Sequence, residues 1–314
     1  IYYIYGGVFM RRIIIDTDTA SDDAIAIIMA MRSKEIKVEA LTVVAGNVPL
    51  DIALNNALIS VEVANTYDVP VYAGASKPLF RDLETGQFAH GMNGMGDIEL
   101  PIPTKRSEKK HGVDAIIDIV KSNPFEIDII AIGPLTNIAL AINKDPETMS
   151  KVRSVYIMGG NGFGEGNMTP LAEFNYYVDA DAVKIVSDFW TNLVLLPWNT
   201  CLTGVNIVKE DMDRILEIGT DLSKFAIDIN ESLVDFNVKF GYEVGFILAD
   251  PGIVAILIDD EISLEYKEAH LDVYTEKNEK YGQQFQVKDK KSNYKVCTKM
   301  DRKKFIDLLV KLLS

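Results

Sequence analysis

The chain has 314 residues, 48% of them hydrophobic, which is enough for one large α/β domain with a substantial core. Its formal net charge of −14 argues against nucleic acid as a partner, because that affinity comes from Lys and Arg on phosphates, and suits a protein that takes a cation or a small neutral molecule. No apolar run approaches the roughly 18 residues of a membrane span, and the two cysteines, Cys201 and Cys297, offer neither a disulfide framework nor a zinc spacing, so the expected compartment is a reducing cytoplasm with no membrane partner.

Residues 1–9 are apolar and aromatic but lack the basic start and cleavage site of a signal peptide. Met10-Arg11-Arg12 resembles a natural start, so 1–9 are expected to be an extension, either a translated upstream segment or an added edge strand, with residues 10–314 as the domain. Apolar, β-branched runs at 12–16, 38–45, 69–73, 127–132, 152–158 and 193–196 predict strands. Between them the patterns at 22–32, 50–67, 112–122, 135–143 and 180–188 predict helices. This alternation implies an α/β fold: an open, mostly parallel sheet with helices on both faces, in a single domain. The C-terminal half reads as more helical, with helices expected at 208–218, 222–240, 251–258 and 301–313 and β-like segments at 263–266 and 271–275. The long polar stretch 80–107 has no period and is expected to be an active-site loop. The Lys-rich stretch 277–295 is expected to be a solvated hairpin.

In an open parallel sheet, ligands bind beyond the carboxyl ends of the strands. The residues just after the first strand are Asp16-Thr17-Asp18-Thr19-Ala20-Ser21-Asp22-Asp23, four carboxylates within eight positions. Asp22 and Asp23 alone would suit the positive end of a helix, but that leaves Asp16 and Asp18 unexplained. Gly46-Asn47, Ile132-Gly133-Pro134, the glycine-rich run from Met158 to Asn167, Glu173-Phe174-Asn175 and Asp250-Pro251-Gly252 occupy comparable places later in the chain. Carboxylates and amides with almost no histidine suggest a hard cation held by oxygen, Ca²⁺ or Mg²⁺. The glycine run does not match G-x-G-x-x-G, and no G-K-[ST], G-x-S-x-G or H-E-x-x-H occurs. Of the three histidines, His90 lies in the long loop, while His111 and His270 carry no motif and read as structural or surface residues.

Asp16-Thr17-Asp18-x-x-x-Asp22-Asp23-Ala24 resembles the N-terminal signature of the inosine–uridine preferring nucleoside hydrolases. Val44-Ala45-Gly46-Asn47, Gly133-Pro134-Leu135-Thr136-Asn137, Met158-Gly159-Gly160, Glu165-Gly166-Asn167, Ala172-Glu173-Phe174-Asn175, Asp250-Pro251 and Val296-Cys297-Thr298-Lys299-Met300-Asp301 follow in the family's order. The resemblance implies a Rossmann-like fold, a homodimer or homotetramer, and Ca²⁺-dependent hydrolysis of the N-glycosidic bond of a small-molecule ribonucleoside to ribose and free base. It implies that Asp18, Asp23, the Ile132 carbonyl and Asp250 hold Ca²⁺. Asp22, Asn175 and Asp250 would hold the ribose diol, Asn167 and Glu173 the 5′-hydroxyl, while Asn47 and Met158 line the sugar. Asp18 would be the general base, and Asp16 would orient the cluster.

One departure bears on the base. Several members of the family place a His immediately before the late Asp, where it can protonate the leaving base; here that residue is Ala249. His90 is then the candidate acid. Purines can leave after N7 protonation through solvent, so the reading tilts towards purine nucleosides (inosine, adenosine, guanosine), with a pyrimidine-preferring or non-specific hydrolase as the alternative. Phe88, Phe163, Trp198, Phe236, Tyr242 and Phe246 are candidates to stack on the base. Two rival readings differ in class. One is a haloacid-dehalogenase-like Mg²⁺ phosphatase with Asp16 as nucleophile and Asp18 as acid. It lacks a second Asp after Gly96-Asp97. The other is a Ca²⁺-stabilised nucleoside-binding protein.

Overall fold

The computed structural model describes residues 3–5, 8–241 and 243–314. In chain order, β1 (Tyr3–Tyr5) and β2 (Val8–Thr17) lead into α1 (Ser21–Arg32), β3 (Ile36–Val43), α2 (Leu50–Ala64) and β4 (Val71–Ala73). Then come α3 (Gln87–His90), α4 (Gly112–Ser122), β5 (Ile127–Ala131), α5 (Thr136–Lys144), α6 (Pro146–Met149) and β6 (Ser154–Met158). The middle holds α7 (Phe174–Val178), α8 (Ala180–Phe189), β7 (Leu193–Leu196), α9 (Trp198–Gly204), β8 (Asn206–Val208), α10 (Lys209–Leu216), α11 (Asp221–Asp228), α12 (Glu231–Lys239) and β9 (Gly245–Ile247). The chain ends with α13 (Ala249–Ile258), β10 (Ser263–Ala269), β11 (Leu271–Val273), β12 (Gln284–Gln286), β13 (Tyr294–Met300) and α14 (Arg302–Leu313).

The main sheet runs β10-β13-β7-β6-β5-β2-β3-β4. Every pair on that path is parallel except β10 with β13 at one edge. β1 pairs antiparallel with the start of β2, off that path; residues 1, 2, 6 and 7 of the extension lie outside the described residues. The fold is therefore the expected Rossmann-like α/β sheet. Successive strand side chains point to opposite faces, and β2 shows the consequence. Ile13 and Ile15 pack into a core with α1, α2, α13 and α14, while Ile14 packs into a second core with α4, α5 and α8. Because β2 lies between β3 and β5, the chain leaves it towards one edge and returns on the other side. That reversal opens a crevice at the carboxyl end of β2, where the four aspartates begin.

Three expectations need correction. The helix expected over 222–240 is two helices, α11 and α12. Buried Asn230 breaks it by donating its side-chain amide to the Ala226 carbonyl at 2.9 Å, in competition with the backbone ladder. The stretch 277–295 is not simply solvated: β12 pairs with β11, and Tyr281, Gln284 and Asn293 are buried. The loop 80–107 contains one helical turn, α3, which carries His90. Among the described residues no helix is long and apolar enough to cross a membrane.

Candidate active site

The crevice is built from two helix starts and four strand ends. Helix α1 begins directly after the aspartate loop, with Asp22 and Asp23 in its first turn, and α13 begins with Asp250 in its first turn. The two helices pack together, so their positive ends face the same carboxylates and offset part of the repulsion. Asp22, Asp23 and Asp250 each present an oxygen, and these lie within 4.8 Å of one another. Asp18 faces the same group, adding its charge to the repulsion on Asp250.

All four carboxyls are buried, and burial raises their proton affinity first, with mutual repulsion adding to it for Asp18, Asp23 and Asp250. Asp22 and Asp23 are pushed up to about 6, and Asp18 and Asp250 well above the ordinary carboxylate range. Asp16, beneath them, is pushed by burial to about 7 although Thr42 and Asn137 donate to its Oδ1 at 2.5 and 2.8 Å. Both donors hold Asp16 Oδ1, while its Oδ2 is buried without a hydrogen-bond partner, and Asp97 is exposed on the turn after His90, which leaves the phosphatase arrangement without its second Asp in the cluster.

Each remaining site residue has a definite anchor. Asp23 accepts from the Thr17 hydroxyl at 2.6 Å and the Ala20 N–H at 2.9 Å. Asp18 Oδ2 accepts the Asn47 N–H at 2.6 Å. Asn175 Nδ2 donates to the Ile132 carbonyl at 3.0 Å and more weakly to the Met158 carbonyl at 3.4 Å. Glu173 caps α7, with its oxygens accepting from Asn175, Tyr176 and Gly160. Burial pushes it up to about 7 against those three donors. Asn167 is exposed at the rim and accepts the Phe174 N–H at 2.8 Å. Asp18 Oδ1, Asp22 Oδ1 and Asn175 Oδ1 are buried with no hydrogen-bond partner. Native proteins rarely leave such acceptors bare, so three acceptors among crowded carboxylates fit a hard cation and a polyhydroxyl ligand.

The long loop brings His90 to this cluster. Its Nδ1 lies 3.0 Å from Ser21 Oγ and 4.0 Å from Asp22 Oδ1. Burial pushes the imidazole down to about 4, so it is neutral at pH 7. Sequence reasoning missed Ser21, Thr17 and Thr42. Hydroxyls carry no spacing signal, and only the fold turns Thr17 and Thr42 towards the acids and Ser21 towards His90. Of the aromatic candidates, Phe88 of α3 and Phe236 of α12 meet at 5.9 Å between ring centres. Phe246 is buried in the core and offers no free face, whereas Trp198 is half-buried against that core. The Lys267 ammonium lies 3.9 Å from the ring centre of Phe163. Tyr242 lies outside the described residues. His111 caps α4, and His270 is half-buried with its Nδ1 2.8 Å from the Lys291 carbonyl, both away from any role here.

The sequence model of the family described as "Inosine-uridine preferring nucleoside hydrolase" matches residues 13–307. The chain is 37% identical over 258 residues to Uridine nucleosidase 1 of Arabidopsis thaliana, covering 80% of this chain and 75% of that protein. It is 35% identical over 310 residues to the pyrimidine-specific ribonucleoside hydrolase RihA of Escherichia coli O7:K1, covering 96% and 98%. The solved structure of a purine-preferring ribonucleoside hydrolase from Gardnerella vaginalis superposes with a TM-score of 0.89 at 26% identity, covering 96% of this chain and 98% of that one. A match over nearly the whole length, with the acidic crevice where the fold predicts a site, means that this chain belongs to the inosine–uridine preferring nucleoside hydrolase family.

Proposed function

We propose that the protein hydrolyses the N-glycosidic bond of ribonucleosides, with Ca²⁺ held by Asp18, Asp23, the Ile132 carbonyl and Asp250. The observation that carries this reading is the set of unpartnered oxygens on Asp18, Asp22 and Asn175 among four buried carboxyls. A bound hard cation supplies charge neutralisation there and a fixed position for sugar hydroxyls and water. Asp22, Asn175 and Asp250 hold the 2′- and 3′-hydroxyls, Glu173 and Asn167 the 5′-hydroxyl, and Asn47 and Met158 line the ribose. Water adds to C1′ as the bond to the base nitrogen breaks, and the bonding pair leaves with the base. The ribosyl ring carries positive charge on the way, and the surrounding carboxylates stabilise it. Asp18 Oδ1 takes the proton of the water. In the tautomer whose Nδ1 accepts from Ser21, the His90 Nε2 carries the proton, and this neutral imidazole would donate it to the departing base.

For the base, the purine reading rests on Ala249, which leaves no ionisable side chain at the position immediately before Asp250 to serve a pyrimidine, and on the Phe88–Phe236 pair near His90 as a stacking surface. The pyrimidine reading is favoured by the names of the two curated relatives above. Reducing-sugar release from inosine, guanosine, adenosine, uridine and cytidine, with and without chelator, tests both. Ribose release that chelator abolishes and Ca²⁺ restores is the expected result. The purine reading predicts at least a tenfold higher kcat/KM for the purines, about 1.4 kcal/mol of discrimination; the reverse ratio establishes the pyrimidine one. No ribose from any of the five, with tight nucleoside binding, would instead make this a binding protein. The 2′-deoxy analogues should be poorer by roughly 10⁴-fold, since the diol acceptors would be left unpaired.

A further inference from the structure

Asn56 sits in the interior of α2, 1% exposed, and spends its side chain outside its own helix. Its Nδ2 donates to the Thr19 carbonyl at 3.0 Å and to the Asn93 carbonyl at 2.9 Å. Thr19 belongs to the aspartate loop, two residues before Ser21; Asn93 lies three residues beyond His90. The Ser21–His90 contact at 3.0 Å completes a closed ring of interactions through both loops. Asn56 Oδ1 has no partner, so the two bonds from Nδ2 alone orient the amide.

The Asn93 carbonyl is a good place to hold this turn. Asn93 Oδ1 accepts the N–H groups of Met95 and Asp97, and its Nδ2 donates to the Ile98 carbonyl, so the turn is knitted around that residue. The packing against Asn56 is close. Gly94 has φ +75°, and a Cβ there would lie 3.2 Å from Asn56 Nδ2 and 2.8 Å from Val48 Cγ1. Helix stability does not explain Asn56, because Ala or Leu would serve an α-helix interior better. Its value lies in satisfying two buried carbonyls from two different loops.

We propose that Asn56 is a positioning residue that clamps the His90 turn to the aspartate loop and thereby fixes His90 beside Ser21 and Asp22. This rests on the reading of His90 as a group that faces the departing base. Two variants disturb the same contact from opposite sides: Asn56→Ala removes the donor, and Gly94→Ala pushes the turn away. Hydrogen exchange of the folded protein, checked by its thermal transition, should show amides of residues 86–97 exchanging about tenfold faster in both variants, with those of β2 and β5 unchanged. A cycle with His90→Ala then separates positioning from bulk stability. Asn56→Ala should lower kcat/KM for the best nucleoside about tenfold in the native background and less than twofold when His90 is Ala. Unchanged exchange over 86–97 in both variants overturns the clamp. Equal losses of kcat/KM in both backgrounds overturn its action through His90. If His90→Ala alone is fully active, the reading of His90 fails, and the exchange result by itself decides whether the clamp exists.

Discussion

Asp18 has one oxygen committed and one bare. Oδ2 takes the Asn47 N–H, and Oδ1 has no partner. In Asp18→Asn the amide must keep its oxygen on that N–H, which turns its NH₂ to the place of Oδ1. An NH₂ group accepts no proton, so kcat should fall by roughly 10²–10⁴. Folding should survive, because the change removes one of several mutually repelling buried charges. Reducing-sugar release and a thermal transition on the same sample check this, and near-native kcat would reject Asp18 as the base. Residue types and order were legible in the sequence here, since carboxylates after an apolar run mark a strand end. The occupancy of their oxygens was not. Glu173 reads as a hydroxyl binder, yet three backbone N–H groups already occupy it. It therefore shapes the glycine turn and α7 whatever else it binds. Asn167 likewise spends its oxygen on Phe174. Such backbone bonds depend on how distant loops meet, and no local pattern encodes that.

At the level of elements, the ends of β2, β3 and β5 approach so closely that side chains are excluded. A Cβ at Gly46 would collide with the Asp18 carboxylate and lie 2.8 Å from Pro134 Cδ, and one at Gly133 would lie 2.8 Å from Asp18 Oδ1. Gly46→Ala must therefore displace Asp18 or the loop after β3. Its Ca²⁺ affinity should drop at least tenfold, about 1.4 kcal/mol, and kcat should fall with it, as read by calcium titration and ribose release. Unaltered affinity and turnover would show that the crevice has more room than these distances allow. The strands and α1 were visible from their apolar runs because buried parallel strands have no polar alternation. The break between α11 and α12 was hidden, because Asn230 ends a helix only once it is buried against Ala226. The charged composition of 277–295 similarly masked Tyr281 and Gln284, and the Gln284 side chain accepts the Gly162 N–H beneath the glycine run.

Across the whole molecule, the acidic crevice ties folding stability to pH and to the cation. Asp16 and Glu173 are raised by burial to about 7, and Asp22 and Asp23 to about 6. In the unfolded chain these groups return to the ordinary carboxylate range near 4. Between pH 4 and 7 the metal-free folded protein thus binds more protons than the unfolded chain, and stability falls as pH rises. His90 works the other way. Its folded value near 4 lies below its unfolded value near 6.5, so it adds stability as pH climbs through that window. One imidazole against at least four carboxyls leaves the net slope negative, and above pH 6.5 the His90 contribution is complete while Asp16 and Glu173 are still losing protons. In chelator, the thermal midpoint should therefore drop by roughly 5 °C between pH 5 and pH 8. Calcium should reverse the drop and raise the midpoint more at pH 8 than at pH 5, because the carboxyls must shed protons to bind it. Calorimetry at the two pH values, with chelator and then with Ca²⁺, measures both slopes. A chelated midpoint that rises with pH, or an equal calcium gain at both, would mean that the crevice carboxyls are not the groups that set this protein's stability.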